Sequence, residues 1–380
     1  MPKYNVLVLG AGKIGSLITC LLSESGDYNI HLANLHIDAA NKLVAQLDLK
    51  NVSTSSLDAQ DKTALETTFN TAFNSTHNTS ANSSSNTGKF DAVISSLPYY
   101  CNPQVADLAA KYQVHYFDLT EDVAVTNHVK TISKNQKNVF MPQCGLAPGF
   151  ISIVANAIIQ NFEKLDTVKM RVGALPVNQN NALKYSLTWS TDGLINEYGN
   201  TCYGIENAKM TSLLPLEGLE TITMDGVHYE AFNTSGGLGT LADTYSGKVN
   251  IMNYKTLRYP GHCKIIKLLM NDLKLNDDRD TLKRILENAI PKTLQDVVLV
   301  YVAVTGYKDD NLFEENYVKK IYPQTIAGKL WSSIQVTTAA GICGVVDMVL
   351  NNADKYSGFV TQESIPLSDF LANRFGNYYS

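Results

Sequence analysis

Short apolar runs alternate with amphipathic stretches along the first part of the chain. Residues 4–9 (YNVLVL) form an apolar run that ends at a glycine, which is typical of a buried parallel strand. Residues 14–22 then predict a helix, residues 29–33 a second strand and residues 39–47 a second helix. This order indicates an α/β fold with a doubly wound parallel sheet.

The same alternation continues towards residue 141. Further strands are predicted at 91–95, 114–118 and 138–141, with a helix over 103–112. Between the second helix and these strands, 14 of the 19 residues in 70–88 are Asn, Ser or Thr. Such a segment buries too little apolar surface to offset the entropy of ordering it, so we expect a low-complexity, mobile surface insert.

Beyond about residue 150 the pattern changes. Strand-like runs at 167–172, 185–189 and 297–304 alternate with polar loops, which indicates a second domain of mixed α/β structure. Residues 333–350 are apolar over the length of a helix. A helix as apolar as this needs a partner surface, and we expect it to return to the first domain.

Composition and charge narrow the class of protein. The chain has 380 residues, 44% of them hydrophobic, and a formal net charge of −5, which are ordinary values for a globular protein. No basic run favours nucleic acid or an anionic membrane surface, and no stretch offers the roughly 20 uninterrupted apolar residues of a membrane helix. The six cysteines are scattered without a CxxC pair, and we identify no secretory signal. We therefore expect a cytoplasmic protein with reduced thiols and no metal site.

The turn after the first strand has the spacing G-x-G-x-x-G. It runs Gly10-Ala11-Gly12-Lys13-Ile14-Gly15 and opens the first predicted helix. In such a turn Gly10 permits a tight bend, Gly12 lets the backbone approach a pyrophosphate, and Gly15 allows the helix to pack closely on the strand. The helix N-terminus supplies N–H donors for the phosphates. The motif, including Lys13 and Ile14, predicts a Rossmann-type site for NAD or NADP.

The end of the second strand leaves the choice between these cofactors open. About 20 residues beyond the glycines stands Asn34, where an Asp or Glu would bind the ribose hydroxyls and repel a 2′-phosphate. Asn34 can bond the hydroxyls but does not repel phosphate. Its neighbours Leu35 and His36 include no arginine that would hold a 2′-phosphate.

Three further segments follow predicted strands, at the sheet edge where ligands of doubly wound folds bind. Their small and turn-forming residues suit a backbone that lies against a flat cofactor, although ordinary strand-to-helix turns have the same composition. The cofactor candidates are Ser95, Ser96, Leu97, Pro98, Asp118, Leu119, Thr120, Gly145, Leu146 and Pro148, and the adjoining substrate candidate is Tyr99.

At these segments the chain resembles the saccharopine dehydrogenase family. The resemblance is carried by GAGKIG, SSLPYY, FDLTED and GLAPGF, and by a later block with EAFNTSGG at 230–237 and YKTLRYPGH at 254–262. It implies hydride transfer between NAD(P) and a C–N bond of a lysine-derived amino acid, as in saccharopine dehydrogenase or lysine 6-dehydrogenase. Ala147 departs from the Asp usual in saccharopine reductases, and carboxynorspermidine dehydrogenases are a more distant alternative.

The resemblance also implies an organisation in three parts and a homodimer formed through the second domain. Residues 1–122 would be the NAD(P)-binding domain, 123–332 the substrate and dimerisation domain, and 333–380 the helical return. The expected partner is a small amino-acid substrate rather than nucleic acid or a membrane. The competing class is an NAD(P)-binding redox sensor without turnover, which the fold alone cannot separate from an enzyme.

The later block and the strand ends supply the candidate chemistry. Arg258 is the candidate anchor for a substrate carboxylate, because its planar fork matches a carboxylate bidentately. Lys255 and His262 lie near it in sequence and add potential donors. Asp118, and after it Glu121, are candidates for binding the substrate amine or accepting its proton. A structural ion pair for Arg258, a cap for Asp118 and a helix start for His262 remain the alternatives.

A loop and two single residues are the remaining candidates. The loop Thr234-Ser235-Gly236 offers hydroxyl and N–H groups to a substrate carboxylate or to the nicotinamide amide. Cys144 lies beside a turn that is predicted to meet the nicotinamide. Nothing near Cys144 in sequence would lower its pKa, so packing explains it better than nucleophilic catalysis. Glu197 could face the substrate without being catalytic.

Overall fold

The computed structural model describes residues 4–70 and 89–380. They divide into two compact units, one formed by the described residues up to 145 together with 338–380, and the other by residues 146–337. The predicted surface insert at 70–88 lies outside the described residues, apart from Asn70, which ends a helix.

The first unit is built on a seven-stranded sheet in which all neighbouring strands run parallel. Its core strands are apolar and buried, as the strand at 4–9 predicts, so the expected doubly wound sheet is confirmed. Its elements up to residue 141 are β1 (Tyr4–Leu9), α1 (Lys13–Glu24), β2 (Tyr28–Asn34), α2 (Ile37–Gln46), β3 (Val52–Ser56), α3 (Lys62–Asn70), β4 (Ala92–Ser95), α4 (Asn102–Tyr112), β5 (His115–Asp118), α5 (Val123–Ile132) and β6 (Val139–Met141).

The first unit extends beyond the expected boundary at residue 122. Helix α5 and strand β6 both lie after that residue, and β6 pairs with β5, with Met141 beside Phe117. Strand β6 is fully buried. Because a buried central strand cannot be separated from its sheet, the first unit continues to residue 145.

The second unit is built on a mixed sheet whose main path is β10-β11-β12-β7-β13-β14, with β8 and β9 attached to β12. Strands β12 and β7 are parallel, and the other neighbours on the path are antiparallel. Its elements are α6 (Phe150–Ile159), β7 (Lys164–Pro176), α7 (Thr191–Gly199), β8 (Cys202–Glu206), β9 (Lys209–Leu213), β10 (Glu220–Met224), β11 (Val227–Asn233), α8 (Leu241–Tyr245), β12 (Ile251–Arg258), α9 (His262–Lys267), α10 (Arg279–Ala289), β13 (Asp296–Lys308), β14 (Asn311–Ile321), β15 (Gln324–Ile326) and β16 (Lys329–Trp331).

One predicted strand of this unit is wrong. Residues 185–189 are irregular rather than extended in a ladder. The segment is apolar because Tyr185 and Leu187 belong to a hydrophobic cluster of the second unit. The backbone N–H of Leu187 bonds to the carbonyl of Pro291 and not to a strand.

The C-terminal elements are α11 (Ser333–Asn351), β17 (Gly358–Phe359) and α12 (Leu367–Ala372). Residues 338–380 belong to the first unit, where β17 extends the parallel sheet beside β6. Asp347 on α11 accepts a hydrogen bond of 2.5 Å from Tyr28 and pairs with Arg374 at 2.6 Å. Among the described helices, α11 alone has the length and hydropathy to cross a membrane, but 89% of it is buried within the protein, which is typical of a core helix.

Candidate functional site

The glycine turn at the end of β1 is tight on one side and open on the other. Gly10 has φ +97°, a conformation that favours glycine. A Cβ on Gly15 would overlap the carbonyl oxygen of Gly10 and the hydroxyl of Ser96, whereas a Cβ on Gly12 would meet nothing within 4 Å. Gly12 is also the N-cap of α1, and no side chain caps that helix. The turn therefore fits a pyrophosphate that approaches the backbone at Gly12 and the helix N-terminus.

Two predicted cofactor residues hold this turn in shape. Asn34, at the end of β2, accepts a hydrogen bond from the Ala11 N–H at 2.9 Å and donates one to the His36 carbonyl at 2.9 Å. The Ser96 hydroxyl lies 2.8 Å from the carbonyl oxygen of Leu9. Asn34 thus lies beside the turn, and its amide keeps one further donor and one further acceptor position with which it could bind a ribose.

The Asp118 carboxylate binds groups of the first unit at the ends of the strands, and not a ligand. It is fully buried. Its carboxylate accepts hydrogen bonds from the Tyr116 hydroxyl at 2.5 Å, the Thr120 N–H at 2.9 Å and the Gln143 N–H at 3.0 Å. These bonds join the end of β5 to the segment after β6. The catalytic role predicted for Asp118 does not fit these contacts, because donors of its own unit already surround the carboxylate.

The end of β4 and the segment after it contain buried and accessible residues. Ser95 is buried, and its hydroxyl donates to the Asn102 side chain at 2.7 Å, so it supports the sheet edge and does not face a cofactor. Leu97 and Tyr99 are half-buried against the hydrophobic core of the first unit. Pro98 is exposed between them.

Glu121 is the ionisable group at this edge whose properties suit proton exchange. It follows β5 and is half-buried. Burial raises the pKa of Glu121 to about 7, and the negative charges of Asp122 and Asp118 add to that rise. No described side chain donates a hydrogen bond to its carboxylate. A carboxyl group with a pKa near neutrality can accept and return a proton under physiological conditions. Leu119 and Thr120, before it, are respectively half-buried and buried.

In the second unit a buried chain of hydrogen bonds links Arg258, Tyr198 and His262. Arg258 Nε donates to the Tyr198 hydroxyl at 2.9 Å, and that hydroxyl lies 2.9 Å from His262 Nε2. His262 Nδ1 lies 2.9 Å from the carbonyl oxygen of Leu183. Since a carbonyl only accepts, Nδ1 carries the proton, Nε2 accepts from Tyr198, and Tyr198 accepts from Arg258.

This arrangement removes His262 from the candidates for acid–base catalysis. Burial and the neighbouring charge of Arg258 lower the pKa of His262 to about 3, so the ring is neutral at physiological pH. Both of its nitrogens are already bonded. Its role is to orient Tyr198, which sequence reasoning missed because Tyr198 arrives on α7 and lies 60 residues from Arg258.

Arg258 itself is held in an aromatic environment. Its guanidinium carbon lies 5.0 Å from the ring centre of Tyr185 and 5.7 Å from that of Tyr198. Nη1 donates to the Leu257 carbonyl at 2.9 Å, and Nη2 lies 3.7 Å from Glu197 Oε2. The predicted ion-pair alternative is therefore present. The remaining N–H groups on the two Nη atoms are the ones with which Arg258 could still hold a carboxylate.

Lys255 does not join this cluster, contrary to the prediction. Successive residues of a strand point to opposite faces, so Lys255 and Arg258, three apart on β12, lie on different sides of the sheet. Lys255 Nζ pairs with Glu220 Oε2 at 2.9 Å, and Glu220 also binds Arg171 Nε at 2.5 Å. This three-residue network of Arg171, Glu220 and Lys255 gives Lys255 a structural role.

The loop after β11 contains one bonded and one unbonded hydroxyl. The Ser235 hydroxyl donates to the Asn196 carbonyl at 3.0 Å, which ties the loop to α7. Gly236 has φ +86° and makes the turn. Thr234 is buried, and its Oγ1 has no hydrogen-bond partner among the described residues. A buried hydroxyl without a partner calls for a ligand or water, so Thr234 remains a binding candidate and Ser235 is better explained as structural. Thr188, Ser152 and Ser333 carry further hydroxyls of this kind, which nothing in the sequence indicated.

The GLAPG segment crosses the division between the units. Gly145 belongs to the first unit, and Leu146 and Pro148 belong to the second. Just before them, Cys144 is buried, with its sulfur 2.9 Å from the Met141 carbonyl oxygen, and burial raises its thiol pKa well above the ordinary range. It has the properties of an inert packing residue. In residues 4–70 and 89–380, no group of three or more His, Cys, Asp or Glu could hold a metal ion.

Comparison with known proteins covers both units. Residues 6–141 match the family model described as the saccharopine dehydrogenase NADP binding domain, and residues 145–375 match the saccharopine dehydrogenase C-terminal domain. Saccharopine dehydrogenase (NADP(+), L-glutamate-forming) of Pyricularia oryzae is 23% identical over 301 residues, 77% of this chain and 62% of that protein. The protein of the same name from Schizosaccharomyces pombe is 22% identical over 223 residues, 57% of this chain and 45% of that protein. The chain thus matches less than two thirds of the length of either relative.

A solved structure shares the fold. Apo histidine-tagged saccharopine dehydrogenase (L-Glu forming) from Saccharomyces cerevisiae superposes with a TM-score of 0.73, covering 97% of this chain and 96% of that chain at 17% identity.

Proposed function

The chain belongs to the saccharopine dehydrogenase family, and from this membership we propose that it is an NAD(P)-dependent oxidoreductase acting on a C–N bond of a lysine-derived amino acid. The observation that carries the proposal is the glycine turn. It is closed by packing at Gly10 and Gly15 and open at Gly12, within a segment that matches the family's NADP binding domain. A nucleotide-binding protein without turnover remains the competing class.

The cofactor would lie along the carboxyl edge of the first unit's sheet. Gly12 and the N-terminus of α1 would hold the pyrophosphate, and Asn34 would meet the adenine-side ribose. When bound, the nicotinamide ring accepts or gives the hydride. Asn34 carries no negative charge, so a 2′-phosphate meets no repulsion from this side chain. We therefore propose that NADP is accepted, as the names of the relatives say of those proteins.

Glu121 supplies the proton transfer in this proposal. When hydride leaves the carbon, the nitrogen bonded to it loses a proton and a C=N double bond forms. Glu121 takes that proton on its carboxylate, for which a pKa of about 7 is suitable. Water then adds to the C=N carbon, and the C–N bond breaks to give an aldehyde and an amine. For the relatives that amine is L-glutamate, as their names state.

The second unit supplies groups suited to a carboxylate. Arg258 is kept charged and oriented by Tyr198 and by the stacking of Tyr185. The unbonded hydroxyl of Thr234 offers a further donor. We assign these two side chains to recognition of the amino-acid head of the substrate, since a charged fork and a hydroxyl together match a carboxylate.

We propose that the protein works as a homodimer in a reducing compartment such as the cytoplasm. The compartment is supported by the six cysteines, all of which are free thiols in the structure. The homodimer is supported by the edge of the second unit's sheet, where β14 pairs with no described strand other than β13 and exposes Leu312 and Phe313.

A matrix of initial rates tests the proposal. Purified protein is combined with NAD or NADP and with saccharopine, lysine or carboxynorspermidine, and absorbance of the reduced nicotinamide is followed. Saccharopine and lysine would both be oxidised at the same carbon and differ only in what the nitrogen carries. We expect NADP reduction with saccharopine. Reduction with lysine alone would favour the lysine 6-dehydrogenase type. Cofactor binding without reduction in any combination would contradict the enzyme and favour the sensor.

A further inference from the structure

Residues 142–145, which we call the β6 turn, have a strained backbone conformation. Gln143 has φ +67°, a region that residues other than glycine seldom adopt, and it is buried. Residues in such conformations persist only where their surroundings fix them, and they concentrate at sites that hold ligands. The conformation of Gln143 therefore indicates that neighbouring elements fix the shape of the β6 turn.

Two elements of the parallel sheet hold the β6 turn from one side. The Gln143 N–H donates to the Asp118 carboxylate at 3.0 Å, and the Cys144 N–H donates to the Asp118 carbonyl at 2.9 Å. The Gln143 side-chain amide donates to the Thr126 hydroxyl of α5 at 3.2 Å. Because Asp118 ends β5, these bonds fold the β6 turn back over the end of β5.

The C-terminal segment holds the β6 turn from the other side. Strand β17 pairs with β6, and the Val360 N–H then donates to the Phe140 carbonyl at 3.0 Å, so the chain runs beside β6 to its end. There the side chain of Gln362 is buried. Its Nε2 donates to the Pro142 carbonyl at 3.0 Å and lies 3.2 Å from the Cys144 sulfur. An amide nitrogen carries two N–H groups, so Gln362 makes both contacts at once.

Helix α11 brings a second residue of the C-terminal segment against the β6 turn. A Cβ on Gly341 would lie 2.8 Å from the carbonyl oxygen of Gly145 and 3.0 Å from that of Cys144. Backbone atoms cannot move aside as the end of a flexible side chain can, so α11 lies this close to the turn because residue 341 is glycine. The shape of the β6 turn thus depends on Gln362 and on Gly341.

The order of the strands places the β6 turn at the nicotinamide end of the proposed cofactor site. The sheet runs β6-β5-β4-β1-β2-β3, and the proposed positions of the pyrophosphate and the adenine-side ribose are at the ends of β1 and β2. The other half of a dinucleotide then extends across the ends of β4 and β5, since ligands of doubly wound sheets lie along the carboxyl edge. The β6 turn lies over the end of β5 and therefore beside that half.

We propose that Gln362 is a positioning residue for the nicotinamide end of the cofactor. Its amide fixes the β6 turn, and the turn sets where the nicotinamide ring lies. Gln362 acts only through the turn and touches no reacting atom. The inference rests on the proposed function and deepens it, because it assigns a residue of the C-terminal segment to the nicotinamide half of the NADP site.

The test compares two ligands that share the adenine half. NADPH carries both halves, whereas adenosine 2′,5′-bisphosphate carries the adenine, its ribose and the 2′-phosphate but lacks the nicotinamide. Isothermal titration calorimetry gives both dissociation constants. Gln362→Met keeps the length of the side chain and removes the amide. We expect it to raise the dissociation constant of NADPH about 10-fold, through loss of a buried hydrogen bond, and to leave that of the bisphosphate unchanged within about 2-fold.

Gly341→Ala disturbs the same turn from α11, and we expect the same selective loss of NADPH affinity. The matched control is Gly344→Ala, one helical turn further along α11, where a Cβ would lie 2.8 Å from the ring of Phe370 instead of meeting the β6 turn. This control should lower the stability measured by urea unfolding and keep the wild-type ratio of the two dissociation constants. Circular dichroism checks that each variant is folded.

A wild-type ratio in Gln362→Met, or an equal loss of affinity for both ligands, would overturn the positioning role. A change of the ratio in Gly344→Ala as large as that in Gln362→Met would overturn it as well, because destabilisation alone would then explain the loss. Wild-type protein that binds neither ligand would overturn the cofactor site and this inference together. Binding is measured without substrate, so protein that binds NADPH and shows no turnover contradicts only the proposed enzyme.

Discussion

Replacing Gly12 by alanine separates cofactor binding from folding. Gly12 has φ −73° and ψ −167°, which alanine adopts without strain. The added Cβ would meet no protein atom within 4 Å. Alanine stabilises a helix less than glycine does at the N-cap position, which lowers the stability of the folded state. Alanine also reduces the conformational entropy of the unfolded chain, which acts in the opposite direction. We therefore expect the free energy of unfolding to change by less than about 1 kcal/mol.

The effect of Gly12→Ala on the cofactor is expected to be large. The methyl group would occupy the side of the turn that a pyrophosphate approaches, and would keep the phosphates from the N–H groups of α1. A hydrogen bond to a charged group contributes about 1.5–3 kcal/mol. Loss of one such bond raises the dissociation constant of NADPH about 10- to 100-fold.

Fluorescence titration with NADPH gives the dissociation constant, and urea unfolding gives the stability. Gly15→Ala is the contrasting variant, because its Cβ would overlap the Gly10 carbonyl and should lower both stability and binding. Wild-type NADPH affinity in Gly12→Ala would refute the reasoning, since the pyrophosphate could not then lie against Gly12.

Three further predictions concern the hydrogen-bonded residues Tyr198 and His262 and the carboxyl group of Glu121. Tyr198→Phe leaves Arg258 Nε and His262 Nε2 without their partner. It should lower the free energy of unfolding in urea by about 1–3 kcal/mol. Unchanged stability would contradict the hydrogen bonds described for Tyr198. Because the pKa of His262 is lowered from 6.5 to about 3, the unfolded state takes up the proton first, and stability is full above pH 6.5 and falls as the pH drops towards 3. The His262 part of this fall should reach about 1.4 kcal/mol per pH unit. It should be missing in His262→Gln, which keeps the fall due to the half-buried His31 and His115, and it should persist in the exposed control His228→Gln. If Glu121 accepts the amine proton, kcat/KM for oxidation rises with pH through about 7; Glu121→Gln should be about 100-fold slower with that rise removed, and an unchanged profile would exclude it.

The local sequence pattern was sufficient to predict the doubly wound sheet of the first unit. The run at 4–9, the glycine spacing and the apolar stretch at 333–350 each produce the element they predict, because burial and turn geometry act within a few residues. Strand β3 has the sequence VSTSS and was not predicted, because the residues after Val52 are polar and form no apolar run. The strand expected at 185–189 failed for the converse reason, since an apolar segment can fill a core without joining a sheet.

The candidate site depended on contacts that the sequence does not display. Lys255 and Arg258 are neighbours in sequence, but strand alternation sends them to opposite faces of β12. Tyr198 reaches Arg258 only through the packing of α7 on the sheet. Asp118 is a carboxylate, which is a common type of catalytic residue. It is buried at the ends of the strands, however, where the backbone N–H groups of Thr120 and Gln143 donate hydrogen bonds to it. Residue type suggested the chemistry, and the tertiary environment decided which carboxylate could perform it.

The central claim is hydride transfer at a carbon that bears nitrogen. It is tested most directly in the reducing direction, with NADPH in which both hydrogens at the nicotinamide C4 position are deuterium, L-glutamate and the matching amino-acid aldehyde. The account predicts a secondary amine product with one deuterium on the carbon bonded to nitrogen, detected by mass spectrometry and NMR. A product formed without deuterium at that carbon, or oxidation of NADPH without the amine, would contradict it.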